Sequence, residues 1–176
     1  MIRTVKFVVC CLAIYGIGII GSYVIEHKLE SMRAMVMYNT DPATAKVRQA
    51  QLDCLAHNIY YEAGYEPFEG KVAIAQVTIN RAENSNFPSD ICKVVYQKNI
   101  VYEKVLCQFS WYCEKHALLV PKGPAYVESM EVAKRVLLEG FRLPSLTKAL
   151  YFHGDYINPN WKKEKVAHIG RHVFYK

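Results

Sequence analysis

The chain has no C-x2-C pair, no H-E-x-x-H motif, no internal repeat and no low-complexity tract. The first two absences leave zinc without a recognisable ligand set. No run of Lys and Arg is long enough to select nucleic acid as a partner. The net charge of +6 is mild, and it suits anionic cell-wall polymers or phospholipid headgroups as well. With 52% hydrophobic residues among 176, the chain is not disordered and can bury the core of one domain. Thirteen tyrosines offer flat apolar area with a polar tip, suited to sugars, to peptides or to a core.

Charge is missing altogether from Phe7 to Ile25, a run of 19 residues. As a helix this run is roughly 28 Å long, close to the thickness of a bilayer's hydrocarbon core. Arg3 and Lys6 precede it and favour a cytoplasmic N-terminus. A cleaved signal peptide would want a shorter apolar region and an Ala-x-Ala-like site, for which Ile20–Ser22 is a poor match. The expected organisation is a transmembrane signal-anchor over residues 1–25, a polar stalk over 26–47 and an exported domain over 48–176, outside the cytoplasm. Gly16, Gly18, Gly21 and Ala13 make the anchor marginal, and in this it resembles those of phage signal-anchor-release endolysins. Cys10 and Cys11 fall in the apolar run as small apolar residues. Cys54, Cys92, Cys107 and Cys113 follow it, and an even count in an oxidising compartment makes them disulfide candidates. Four cysteines allow three pairings, and spacing does not choose among them.

The expected fold class is α+β, mainly α, with a small late β-hairpin. Leu52, Leu55, Ala56, Ile59 and Ala63 form one stripe of a helix over Gln49–Ala63, which Gly64 ends. Pro67 opens a second helix running to about Glu83, although its β-branched content makes a strand a competitor. Ser89 can cap a short helix through Tyr96. Residues 98–106 carry no clear pattern, and "CQFSWYCEK" reads as a constrained loop. A further helix starts at Pro124, with Tyr126, Met130, Ala133 and Leu137 on one face, and ends at Gly140. "KALYFH" and "HIGRHVFYK" read as two strands joined through the turn-forming Asn-Pro-Asn.

The chemistry centres on Glu62, on the last turn of the first helix beside Tyr60 and Tyr61. A carboxyl among aromatic rings loses hydration, and its pKa rises. The negative end of the helix pushes the same way. Such a group can stay protonated near neutral pH and act as a general acid. On its own, Glu62 could equally be a surface glutamate. Six segments taken in order argue otherwise: "YYEA", "EGKVAIAQVTINR", "FPSDICKVVYQ", "CQFSW", "ALYFH" with "NPNW", and "IGRHVFY". Together they resemble the SleB-type cell-wall hydrolase domain of spore cortex-lytic enzymes, over about Leu52 to Tyr175. The resemblance implies a lysozyme-like, lytic-transglycosylase-like fold, peptidoglycan as the partner and Glu62 as the single catalytic glutamate; no cofactor is expected. The family commonly reads E-A-R-G-E, where this chain has Glu62-Ala63-Gly64-Tyr65-Glu66, so the arginine is missing.

One carboxyl that is acid and then base yields a 1,6-anhydro product, whereas hydrolysis would usually need a second carboxylate. Glu66 and Glu69 are candidates for that role, or simply favourable charges at a helix start. Gln108, Ser110 and Trp111 could bind sugar hydroxyl and acetamido groups and stack on a pyranose, or build a structural loop. Tyr151 and His153 share a strand face and could line the cleft. Arg81 could pair with a carboxylate or lie at a solvated helix end. Three other readings compete. A zinc amidase would draw on His57, His153, His168 and His172, and chelation would silence it. A peptidase with Cys54 as nucleophile would be alkylation-sensitive. A non-catalytic, membrane-tethered wall-binding module would not depend on Glu62.

Overall fold

The computed structural model describes residues 18–33, 41–114 and 121–176. Residues 18–33 are helical and largely exposed. No helix among the described residues is long and apolar enough to cross a membrane. Most of the expected span, residues 7–17, lies outside the described residues. A compact unit runs from Arg48 to Lys176.

Helix α1 covers Pro42–Ala63, longer at its start than the stripe predicts. The Asp41 carboxylate caps it, accepting from the Thr44 N–H at 2.7 Å, and Pro42 takes the first turn, where a missing N–H costs nothing. All five stripe residues are buried. Gly64 follows the last helical residue, as expected. A Cβ there would sit 2.4 Å from the Tyr60 carbonyl oxygen, so the chain leaves α1 through a passage only glycine fits.

Helix α2, Phe68–Ala82, is the centre of the domain. It is buried continuously from Gly70 to Ile79, so the strand competitor falls and a one-face stripe understates the helix. One side, with Val72, Ala75 and Ile79, meets α1, the short helix α3 (Ile91–Val95) and helix α4 (Pro124–Leu137). The opposite side, with Ala73, Ile74 and Val77, meets Leu146, Ala149 and Phe174. Each buried Val, Leu, Ile or Phe among these contributes about 1.5–3 kcal/mol. Asp90, not Ser89, caps α3, accepting from the Lys93 N–H at 2.8 Å. Cys54 bonds Cys92, tying α1 to α3, and Cys107 bonds Cys113.

The unassigned stretch forms a hairpin of β1 (Lys98–Val101) and β2 (Lys104–Cys107). Tyr102 and Glu103 turn it with φ of 48° and 64°, a conformation that usually calls for Asn or Gly. A 3-10 turn at Ser110–Cys113 follows. The late β element is larger than a hairpin. Strands β3 (Tyr151–Gly154), β4 (Lys165–Ile169) and β5 (His172–Tyr175) form an antiparallel sheet in the order β3-β5-β4. "HIGRHVFYK" is therefore two strands, bent at Gly170 (φ 56°).

Candidate active site

Buried polar groups on α2 hold the rest of the site in place. Gln76 exchanges two hydrogen bonds with the Leu143 backbone, at 3.1 and 2.7 Å. Asn80 donates to the carbonyls of Leu146 and Ala149, both at 2.8 Å. Arg81 donates through Nε to the Leu150 carbonyl at 2.7 Å. Five bonds thus fasten the segment leading into β3, and each is costly to leave unmade in a buried setting. A second network joins α1, α2 and the 3-10 turn. Asn58 donates to the Thr78 hydroxyl and accepts from the Trp111 indole N–H, both at 3.0 Å.

Glu62 sits where these supports meet, partly buried at the end of α1. Tyr61, next to it, stacks on Trp111 with ring centroids 4.5 Å apart, and Tyr60 meets Tyr61 edge-on at 5.1 Å. Loss of hydration pushes the Glu62 carboxyl up to about 7, the Arg81 charge pulls against this, and Glu114 adds to the rise. Arg81 is no solvated helix end. It is 4% exposed and lies among the rings of Phe87, Phe109 and Phe152, with its guanidinium carbon 5.2–5.8 Å from their centroids. Burial lowers it to about 10, and the Glu62 charge counters that fall. Its Nη1 is buried without a hydrogen-bond partner among the described residues. The pair is an acid kept protonated by dehydration beside a cation that would stabilise its anion.

The cleft at Glu62 has a volume of about 520 Å³ and is walled by Tyr60, Tyr61, Tyr65, Glu66 and Arg171. Arg171, from the β4–β5 turn, also lines this cleft, and its guanidinium lies 3.7 Å from the Asp155 carboxylate. Sequence reading missed it, and the neighbouring Gly170 was the available signal. Glu66 is already engaged. Its carboxylate accepts from the Arg171 N–H at 3.2 and 3.3 Å and lies 3.9 Å from His172 Nδ1. Its carboxylate also covers Gly170, where a Cβ would meet Oε2 at 2.1 Å. Glu69 is exposed on the first turn of α2.

The other expected site residues divide. Trp111 is 6% exposed, covered by Tyr61 and bonded to Asn58, so it is a core residue without an open face for a sugar. Ser110 is exposed and Gln108 half-buried beside it. Tyr151 and His153 gather with Trp161 and Tyr175. His153 Nε2 is 2.9 Å from the Tyr175 hydroxyl, and Lys163 Nζ is 3.6 Å from the Tyr151 ring centroid. Tyr151 also meets the Phe87 ring, with centroids 6.3 Å apart, and Arg81 lies over that same ring, which links this aromatic group to the Glu62 neighbourhood. No three His, Cys, Asp or Glu side chains among the described residues converge as metal ligands.

Residues 65–175 match the family described as Cell Wall Hydrolase. The chain belongs to that family. Glu62 lies just before the matched span. Among curated proteins the chain is similar to spore cortex-lytic enzymes. That of Oceanobacillus iheyensis is 26% identical over 73% of this chain and 42% of the relative. That of Bacillus subtilis is 29% identical over 68% of this chain and 35% of the relative. The chain thus spans under half the length of these relatives. In structure it resembles the catalytic domain of Bacillus cereus SleB, at a TM-score of 0.55 and 24% identity over 73% of this chain and 91% of that one. The catalytic domain of the Bacillus anthracis germination-specific lytic transglycosylase SleB gives the same TM-score and identity, with 95% of that chain covered. The mainly helical α+β fold is therefore that of the SleB catalytic domain.

Proposed function

We propose that this domain cleaves peptidoglycan glycan strands between N-acetylmuramic acid and N-acetylglucosamine, with Glu62 as the acid and then the base. The observation that carries the reading is the Glu62 carboxyl, lifted to about 7 by dehydration at the wall of an open cleft. Protonated, it gives its proton to the bridging oxygen as the C–O bond breaks. The oxocarbenium-like centre is captured by the 6-hydroxyl of the same sugar, whose proton returns to the Glu62 carboxylate. Arg81 stabilises that carboxylate between the two transfers. Glu66, occupied by the β4–β5 turn, is poorly placed to activate water as a second carboxylate, which favours transglycosylation over hydrolysis. Tyr151, His153, Gln108 and Ser110 are the proposed sugar contacts. The similarity in sequence to proteins named spore cortex-lytic enzymes supports this reading.

Zymography of the full chain and Glu62→Gln tests the reading. Clearing by the natural chain and none by the variant is expected, and equal clearing would overturn the mechanism. Mass spectrometry of the products then separates 1,6-anhydro ends from reducing ends. We further infer that the uncharged run Phe7–Ile25 anchors the chain in a membrane, with the domain outside the cytoplasm, because its length matches a bilayer. Alkaline carbonate extraction of membranes checks this, and complete release of the full-length chain would sink it.

A further inference from the structure

The cleft at Glu62 does not end there. A second cleft, of about 620 Å³, shares Tyr60, Gly64, Tyr65 and Glu66 with it and continues to Lys71, Lys122 and Glu128. A third, of about 320 Å³, shares Lys71 and Glu128 with the second and runs between α2 and α4 to Arg135. Adjacent clefts with common walls make one groove. Tyr65, 94% exposed, stands at its first junction, and the Lys71–Glu128 pair spans its second. From Pro124 to Arg135 the groove follows α4 for roughly 16 Å, at about 1.5 Å per helical residue.

The lining has a particular chemistry. Lys71 is 6% exposed, and burying an ammonium is costly without compensation. Its Nζ donates to Glu128 Oε2 at 2.7 Å, which uses one of three donors. Glu128 is itself 63% exposed, so the pair opens onto the groove. Arg135 is laid over the Phe68 ring, its guanidinium carbon 5.5 Å from the centroid, which fixes a planar fork suited to a carboxylate. Cations at Lys71, Lys122 and Arg135 thus lie among carboxylates at Glu128 and Glu131, the latter paired with Lys134 at 2.7 Å, beside apolar walls of Phe68, Val127 and Val132. A glycan without its peptide, left with a single lactyl carboxylate on each muramyl sugar, gains little from so extended a surface. A short extended peptide carrying carboxylates, an ammonium and small apolar side chains complements it. At about 3.3 Å per residue, four or five residues span the α4 stretch.

We propose that the groove between α2 and α4 binds the peptide substituent of the muramyl sugar, making peptide-bearing glycan the preferred substrate. Lys71 and Arg135 take its carboxylates, and Glu128 and Glu131 its ammonium. The proposal rests on the reading that Glu62 cleaves peptidoglycan. The test measures kcat/KM of the full chain on glycan strands with their peptides and on the same strands stripped by an amidase. The natural chain is expected to favour the peptide-bearing strands by about tenfold or more, the equivalent of 1.4 kcal/mol. Arg135→Ala and Glu128→Ala, both at exposed positions, are expected to bring the ratio towards one through KM on the peptide-bearing substrate. Lys148→Ala removes an exposed charge outside the groove and is expected to keep the natural ratio. Equal kcat/KM on both substrates, or an unchanged ratio in the two groove variants, overturns the proposal while leaving the Glu62 reading intact. Cleavage of neither substrate overturns both.

Discussion

Glu62 and Glu66 lie four residues apart on either side of Gly64, and both face the same cleft. Their surroundings differ in kind. Glu62 ends a helix among tyrosine rings, and its main influence is the loss of water, with Arg81 only partly offsetting it. Glu66 follows the helix, holds a backbone N–H of the β4–β5 turn and covers the glycine at its apex. One carboxyl is short of water and so holds its proton, as the proposed acid must. The other is engaged by the turn that it holds. Identical side chains acquire separate roles through what the next element brings to them.

The sharpest way to break this contrast is to neutralise each in turn. Glu62→Gln should lower turnover by about 10²–10⁴-fold, the usual contribution of a general acid. It should also make the protein more stable at alkaline pH. A carboxyl raised from 4.5 to about 7 favours the protonated folded state, so its ionisation costs stability as pH rises through that window. Above it the cost approaches roughly 3 kcal/mol, at about 1.4 kcal/mol per pKa unit. Thermal melts of both proteins at acid and alkaline pH should therefore diverge with rising pH, and parallel curves would show that Glu62 is hydrated. The activity of the natural chain should fall as pH rises past about 7, where Glu62 gives up its proton.

Glu66 should behave in the opposite way. Gly170→Ala places a methyl group against its carboxylate in a left-handed backbone conformation, and should cost at least about 2 kcal/mol. Glu66→Gln weakens the hold on the Arg171 N–H and should cost about 1–3 kcal/mol, the price of a charge-assisted bond in a partly buried setting. Denaturant melts measure both. If Glu66→Gln instead abolished turnover with stability unchanged, Glu66 would be the second carboxylate of a hydrolase.

What the sequence revealed of this arrangement follows from how local each signal is. The α1 stripe and the helix-end position of Glu62 depend on neighbours within a few turns, and they are read directly. Helix α2 hides its role, because a helix buried on both sides has no single apolar face, and its Gln76, Asn80 and Arg81 look like surface residues until their carbonyl partners, more than 60 residues on, are known. The β1–β2 hairpin is hidden by its turn, since Tyr102-Glu103 carries none of the usual residues. The place of Trp111 depends on Asn58, 53 residues earlier.

That last dependence gives a smaller test. Trp111→Phe keeps a ring against Tyr61 but strands the Asn58 carbonyl oxygen, and should cost about 1–3 kcal/mol. Its KM for glycan should stay near the natural value, because the indole is sealed from the cleft. A KM raised tenfold at unchanged stability would return Trp111 to the sugar contacts.

The smallest expected effect bears on Glu62 alone. Glu114 is exposed, follows Cys113 in sequence, and its charge helps to hold the proton on Glu62. Removing that charge in Glu114→Gln lowers the Glu62 pKa, so the alkaline limb of the pH–rate profile should move to lower pH. The plateau at acid pH, where Glu62 is protonated in either protein, should not change. Stability should shift in the matching sense, because an easier ionisation of Glu62 costs the folded state less above pH 7. Salt screens a charge acting from an exposed position, so high ionic strength should draw the two profiles together. A limb that moves the other way, or a plateau that drops, would mean that dehydration and Glu114 do not act on the same proton.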